Sequence, residues 1–166
     1  MSTDTVAATL AKPGKYLSFV LGREEYGLEI LKVQEIIGIM DVTRVPRTPP
    51  YVRGVINLRG RVIPVVNLRS KFQMPTIEDN ERTCVIVVQV TNGDLTVTMG
   101  VIVDEVSEVL SFTQDQIEAA PSFGGGMDDA EYITGMGRLG KKVVILLNSD
   151  QVLTGEELEV VAQAAQ

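Results

Sequence analysis

The sequence contains no histidine and no tryptophan. Histidine is the commonest general base, the usual activator of serine or cysteine nucleophiles and the commonest metal ligand, so its absence weighs against most catalytic chemistries. An enzyme built on Asp, Glu and Lys alone would need clustered carboxylates, and the sequence shows none with ligand or acid–base spacing. Only 5% of residues are aromatic. Valine and isoleucine fill the interior instead, which favours strands. A single cysteine, Cys84, cannot form an internal disulfide, in keeping with a reducing compartment. Apolar runs such as residues 85–88 and 143–147 are far too short to span a bilayer. The first residues lack a basic stretch followed by an apolar one, so no secretory signal is expected. A cytoplasmic protein is the expectation.

Acids are missing from one long stretch. Residues 42–77 hold seven cations, Arg44, Arg47, Arg53, Arg59, Arg61, Arg69 and Lys71, and no Asp or Glu. The remainder of the chain has the other eight Lys and Arg against all 22 acids, and the net charge is −7. Inside this basic stretch lies VRGVINLRGRVIPVVNLR, residues 52–69, with an internal echo. Ile56-Asn57-Leu58-Arg59 returns as Val66-Asn67-Leu68-Arg69. Gly60 and the β-branched run between the copies predict a strand, a tight turn and a second strand. Pro64 in the second strand predicts an edge position or a bulge.

The other elements follow from periodicity and punctuation. Residues 15–21 read as a strand, and residues 25–30 alternate cleanly as a second one. Residues 30–40 suggest one helical turn leading into a strand. Residues 41–51, with three prolines, form a loop, and the polar residues 73–82 are the candidate linker. Strands follow over 83–90 and 95–103, joined by an Asn-Gly turn, with Gly100 marking a bulge or a close backbone approach. Further strands are expected over 106–112, 132–139 and 143–147. Thr154 to Glu157 is a capping box, and Leu158, Val161, Ala162 and Ala165 make a helical stripe behind it.

Nine or ten short strands predict an all-β fold of small closed barrels. The expected organisation is a disordered tail over 1–14, a first barrel over 15–77, a second over 78–148 and a terminal helix over 149–166, with strands free to cross between barrels. Gly124-Gly125-Gly126 lacks the Lys-Ser/Thr of a phosphate loop and reads as a flexible loop. Asp104-Glu105 and Asp128-Asp129 lack calcium-loop spacing and read as solvated surface. Cys84, in an apolar strand, reads as a small core residue. No metal or cofactor is expected. The basic hairpin reads as a protein-docking surface. A nucleic-acid-binding double β-barrel is the alternative, but such a surface interleaves cations with aromatics, and only Tyr51 and Phe72 flank the hairpin.

Four segments carry a resemblance: FVLGREEYGLEILKVQEI (19–36), TRVPRTPPYVRGVINLRGRVIPVVNLR (43–69), GVIVDEVSEVL (100–110) and YITGMGRLGKKVVILLN (132–148). In order, and over nearly all of residues 15–148, they resemble the CheW family of bacterial chemotaxis coupling proteins. The resemblance implies two packed SH3-like five-stranded β-barrels with short helices and a C-terminal helix, and no catalysis. It implies an adaptor, recruited to membrane-associated receptor arrays, between the cytoplasmic hairpin tip of a chemoreceptor and the regulatory domain of the histidine kinase CheA. Carried over residue by residue, it implies a receptor groove between the barrels at Val33, Glu35, Ile36, Arg59, Gly100 and Val109. Kinase contacts are implied at Thr43, Val45 and Ile63.

Overall fold

The computed structural model describes residues 11–119 and 132–164, and over them the chain is mostly β. The triple glycine, Asp128-Asp129, Ala165 and most of the expected tail lie outside the described residues. Among the described residues eleven strands form two curled sheets of the SH3-like kind, and the chain divides into two compact units.

Unit 1 comprises Met1–Leu31 and Ser107–Val152. Its sheet runs in the order β8-β1-β2-β11-β10-β9, from β1 (Gly14–Leu21), β2 (Glu24–Glu29), β8 (Glu105–Phe112), the two-residue β9 (Ile117–Glu118), β10 (Ile133–Leu139) and β11 (Lys142–Leu147). Strand β11 joins β2 in parallel, with Val144 beside Glu25 and Leu147 beside Leu28. Tyr16, Phe112, Ile117, Val144 and Leu146 form one core cluster, with the Tyr16 and Phe112 rings edge to face at 5.9 Å.

Unit 2 comprises Lys32–Val106 and Leu153–Gln166. Its five strands are ordered β3-β6-β7-β5-β4, from β3 (Val33–Gly38), β4 (Val52–Leu58), β5 (Arg61–Asn67), β6 (Cys84–Asn92) and β7 (Leu95–Val103). Ile56, Leu58, Ile63, Val65, Val85, Val87 and Ile102 form its core cluster. The helix Gly155–Ala164 belongs to this unit and buries Leu158 and Val161.

Four expectations are corrected. The division does not fall at residues 73–82, because β6 and β7 hydrogen-bond with β3 and β5 while β1 and β2 pair with strands from the far end of the chain. The segment 73–82 is therefore a loop of unit 2, held by Arg53 on Asp79 (2.6 Å) and Arg69 on the Pro75 carbonyl (2.7 Å). The tail does not extend to residue 14: Ala11 is buried in the unit 1 core, and its N–H donates to the Thr134 carbonyl at 3.2 Å. Pro64 sits in an interior strand, so the edge reading fails, while a bulge does interrupt the β4–β5 register close by, between Val52 and Gly54. The proline is tolerated because β5 pairs with β7 only over Val65–Asn67, just beyond it. Its partner on β4, Val55, directs its own N–H and C=O to Thr43 instead, at 2.8 Å each. Cys84 is only half-buried, since it opens β6 rather than lying within it.

Candidate functional site

The β4–β5 hairpin closes through Arg59 and Gly60, which both adopt left-handed backbone (φ 52° and 88°). Consecutive positive φ values match the twist of a two-residue hairpin turn. Asn57 fixes the turn by accepting the Gly60 N–H on Oδ1 at 2.8 Å. From that tip the Arg59 guanidinium reaches Glu35 on β3. Nη1 donates to Oε1 at 3.2 Å and Nη2 donates to Oε2. The hydrogen bond from Arg59, aided by its charge and opposed by partial desolvation, holds the Glu35 carboxyl below the usual carboxylate range.

The sequence echo is also an echo of roles. Asn67 accepts the Ser70 N–H at 3.3 Å and caps the short helix Leu68–Lys71, as Asn57 caps the hairpin turn. Leu58 and Leu68 are both buried. Arg69, like Arg59, forms a two-pronged pair with an acid, donating to Asp104 at 2.8 and 2.6 Å. The copies differ in burial. The Arg69 side chain is 13% exposed and the Arg59 side chain 70%. Arg69 locks the framework, whereas Arg59 keeps donors facing solvent.

Much of the basic stretch is neutralised within unit 2. Arg53 pairs with Asp79, Arg59 with Glu35, Arg69 with Asp104 and Lys71 with Glu157. Arg44, Arg47 and Arg61 are exposed and have no ion-pair partner among the described residues. The hairpin is thus less of a positive surface than its composition predicts, which weighs against a phosphate backbone as its target.

Strand β3 carries three of the six residues implied for receptor contact. It is an edge strand, and its register with β6 shifts between Val33 and Glu35. A one-residue bulge reverses the side-chain alternation. Val33 pairs with Val88 and Ile36 with Ile86, so the two share a face although they lie three apart in a strand. Glu35 and Ile37 point the other way, with Val87 and Val85. Sequence reasoning places Val33 and Ile36 on one face of a helical turn; the face is right, and the bulge is the cause. Val33 is half-buried and Ile36 exposed. Val109, exposed on β8, belongs to unit 1.

Two of the implied contact residues are buried. Gly100 is buried on β7 between Val87 and Val65, and a Cβ there would lie 2.5 Å from Val85 Cγ1. The close-approach reading of this glycine holds. Ile63 is 1% exposed, inside the unit 2 core, while its neighbour Val62 is 51% exposed. Thr43 is exposed and bridges Val55, and the half-buried Val45 accepts the Thr48 hydroxyl at 2.8 Å. The sequence reading passes over Gly54, whose φ is 149° and whose Cβ would run into the Thr43 carbonyl. A glycine inside a strand pattern was the signal for it.

These features define a strand-rich binding module. Among the described residues, no group of three His, Cys, Asp or Glu could hold a metal ion, and no helix is long and apolar enough to cross a membrane. A family model described as "CheW-like domain" matches residues 15–157, so the chain belongs to the CheW-like family. It is 44% identical over 151 residues to "Chemotaxis protein CheW" of Klebsiella aerogenes, covering 91% of this chain and 88% of that one. It is 30% identical over 156 residues to the protein of the same name from Thermotoga maritima, covering 92% and 95%. Among solved structures it is similar to the scaffolding protein TtCheW from Thermoanaerobacter tengcongensis, with a TM-score of 0.75 and 29% identity, over 87% of this chain and 95% of that one. The family is one of chemotaxis scaffolds, not enzymes, and the chain is a chemotaxis adaptor.

Proposed function

We propose that this adaptor couples chemoreceptors to the histidine kinase CheA. Its receptor surface takes the hairpin tip of a receptor, and a second surface takes the regulatory domain of the kinase. Val33, Ile36, Glu35 and Arg59 make the receptor contacts contributed by unit 2, and Val109 makes one from unit 1. Gly100 and Ile63 serve as framework behind these surfaces, and Thr43, Val45 and the exposed Val62 face the kinase. The chain works in the cytoplasm and is recruited to receptor arrays.

One observation carries this reading: an edge strand with a half-buried and an exposed apolar residue on one face, and on its other face a glutamate whose arginine partner faces solvent. A receptor tip is a helical hairpin. Helices dock by laying apolar side chains against such a surface, while charged neighbours at the rim set the register. Val33→Asp tests it, since docking would then bury an unpaired carboxylate. In co-sedimentation with receptor-bearing membranes, the variant should lose receptor binding and retain CheA. Equal loss of both partners, or a collapsed melting transition, would mark Val33 as a core residue only.

A further inference from the structure

Unit 1 contains a cleft lined by none of the residues assigned above. It measures about 230 Å³ and lies between the segment leading into β1 and the turn Ile30–Lys32. That volume is below the ~300–1,000 Å³ typical of small-molecule and cofactor pockets, and suits a single large side chain. The wall is fixed. Tyr16 accepts the Lys12 N–H at 3.3 Å and donates its hydroxyl to the Lys12 carbonyl at 2.7 Å, and Ala11 is anchored on Thr134. The lining combines Tyr16, Pro13, Ile30 and Leu31. Leu31 is 94% exposed, the most of the large exposed apolar side chains among the described residues.

The charge at this cleft opposes that of its surroundings. Counted over its whole sequence, unit 1 carries eleven acids against six bases. The cleft nevertheless presents two lysines, Lys12 and Lys15, and one acid, Glu29. Both lysines are exposed, and neither has an ion-pair partner among the described residues. An exposed leucine beside a side-chain-sized cleft, bracketed by unpaired cations, is complementary to an apolar residue flanked by carboxylates.

We propose that this cleft is a docking site for an acidic segment of a protein partner, which anchors one apolar side chain against Tyr16, Ile30 and Leu31 and sets its flanking carboxylates on Lys12 and Lys15. The site shares no residue with those proposed for receptor and kinase and is inferred independently of them.

The test uses the full chain, labelled with ¹⁵N, and a short peptide of glutamates around one central leucine. Amide shifts should be confined to Lys12, Lys15, Tyr16, Glu29, Ile30 and Leu31. Replacing the central leucine by alanine, or making Lys12→Glu with Lys15→Glu in the protein, should weaken binding on the order of tenfold. Leu31→Ser should also weaken it without moving the melting temperature, because the residue is exposed. Shifts that are absent or lie elsewhere would overturn the proposal. So would equal binding of a peptide with lysines in place of the glutamates, or of a thymidine oligonucleotide at the same amides.

Discussion

Arg59 and Glu35, 24 residues apart in sequence, tie the tip of the β4–β5 hairpin to the edge strand β3 through a two-pronged ion pair. Fork-to-carboxylate geometry fixes direction as well as distance, which a lysine could not do. The pair therefore serves as a shaped element of the proposed receptor surface. Glu35→Ala, Arg59→Ala and the double variant should show non-additive losses of receptor affinity, with little change in melting temperature. Strict additivity in both would mean that the two residues act separately. Arg59→Lys should behave closer to Arg59→Ala than to the unmodified chain.

Ile63 and Val62 are neighbours with opposite fates, one in the unit 2 core and one in solvent. Ile63→Ala should cost about 2–5 kcal/mol of unfolding free energy, the range for buried large-to-small changes. Val62→Asp should leave the denaturation midpoint nearly unchanged and weaken CheA binding. Reversal of that pattern would remove Val62 from the kinase surface.

Gly100 offers a similar separation of framework from contact. An added methyl would press on Val85 from 2.5 Å. Gly100→Ala should destabilise by about 1–3 kcal/mol through overpacking. Any loss of receptor binding should then disappear at temperatures where the variant is fully folded.

The helix Gly155–Ala164 is clasped at its start. Glu157 accepts the Thr154 N–H at 2.8 Å and the Lys71 ammonium at 2.8 Å, while Thr154 accepts the Glu157 N–H at 3.1 Å. Lys71 also lies 5.4 Å from the centre of the Tyr51 ring. Burial works to raise the Glu157 pKa, but the hydrogen bonds from Lys71 and Thr154 and the Lys71 charge together outweigh it and hold the carboxyl below its usual range. Burial, with the Glu157 charge behind it, pushes the Tyr51 phenol up to about 12. A carboxylate held low in the folded state gives stability that is complete above about pH 5 and is lost as pH falls through the lowered value. Thr154→Ala should cost about 1 kcal/mol as a lost N-cap. Glu157→Gln should flatten the acid limb of the stability curve, and an unchanged limb would mean that the clasp is not a determinant of acid stability.

Local signals are legible where one element decides the outcome. Gly60 and Gly93 have positive φ at the turns their motifs predict, and the Thr154 capping box is formed at both ends. Long-range pairing was not legible. Nothing in residues 15–30 says that β2 will accept β11 in parallel, so the sequence pattern predicts two consecutive barrels where the chain forms two discontinuous units. Residue types in the candidate site are legible in the sequence, but their exposure is not. Ile63 looks like its neighbours in a β-branched run, and only the sheet register and the core around it show that it faces inward. The partners of the hairpin cations were hidden for the same reason. Asp79, Asp104 and Glu157 lie outside the basic stretch and reach it only through the fold.

Coupling itself is tested most directly by CheA autophosphorylation, measured with the purified chain in the presence and absence of receptor-bearing membranes. The expected result is strong stimulation only when chain, kinase and receptor are combined, and its loss with Val33→Asp. Equal stimulation of CheA without receptor would contradict the coupling role.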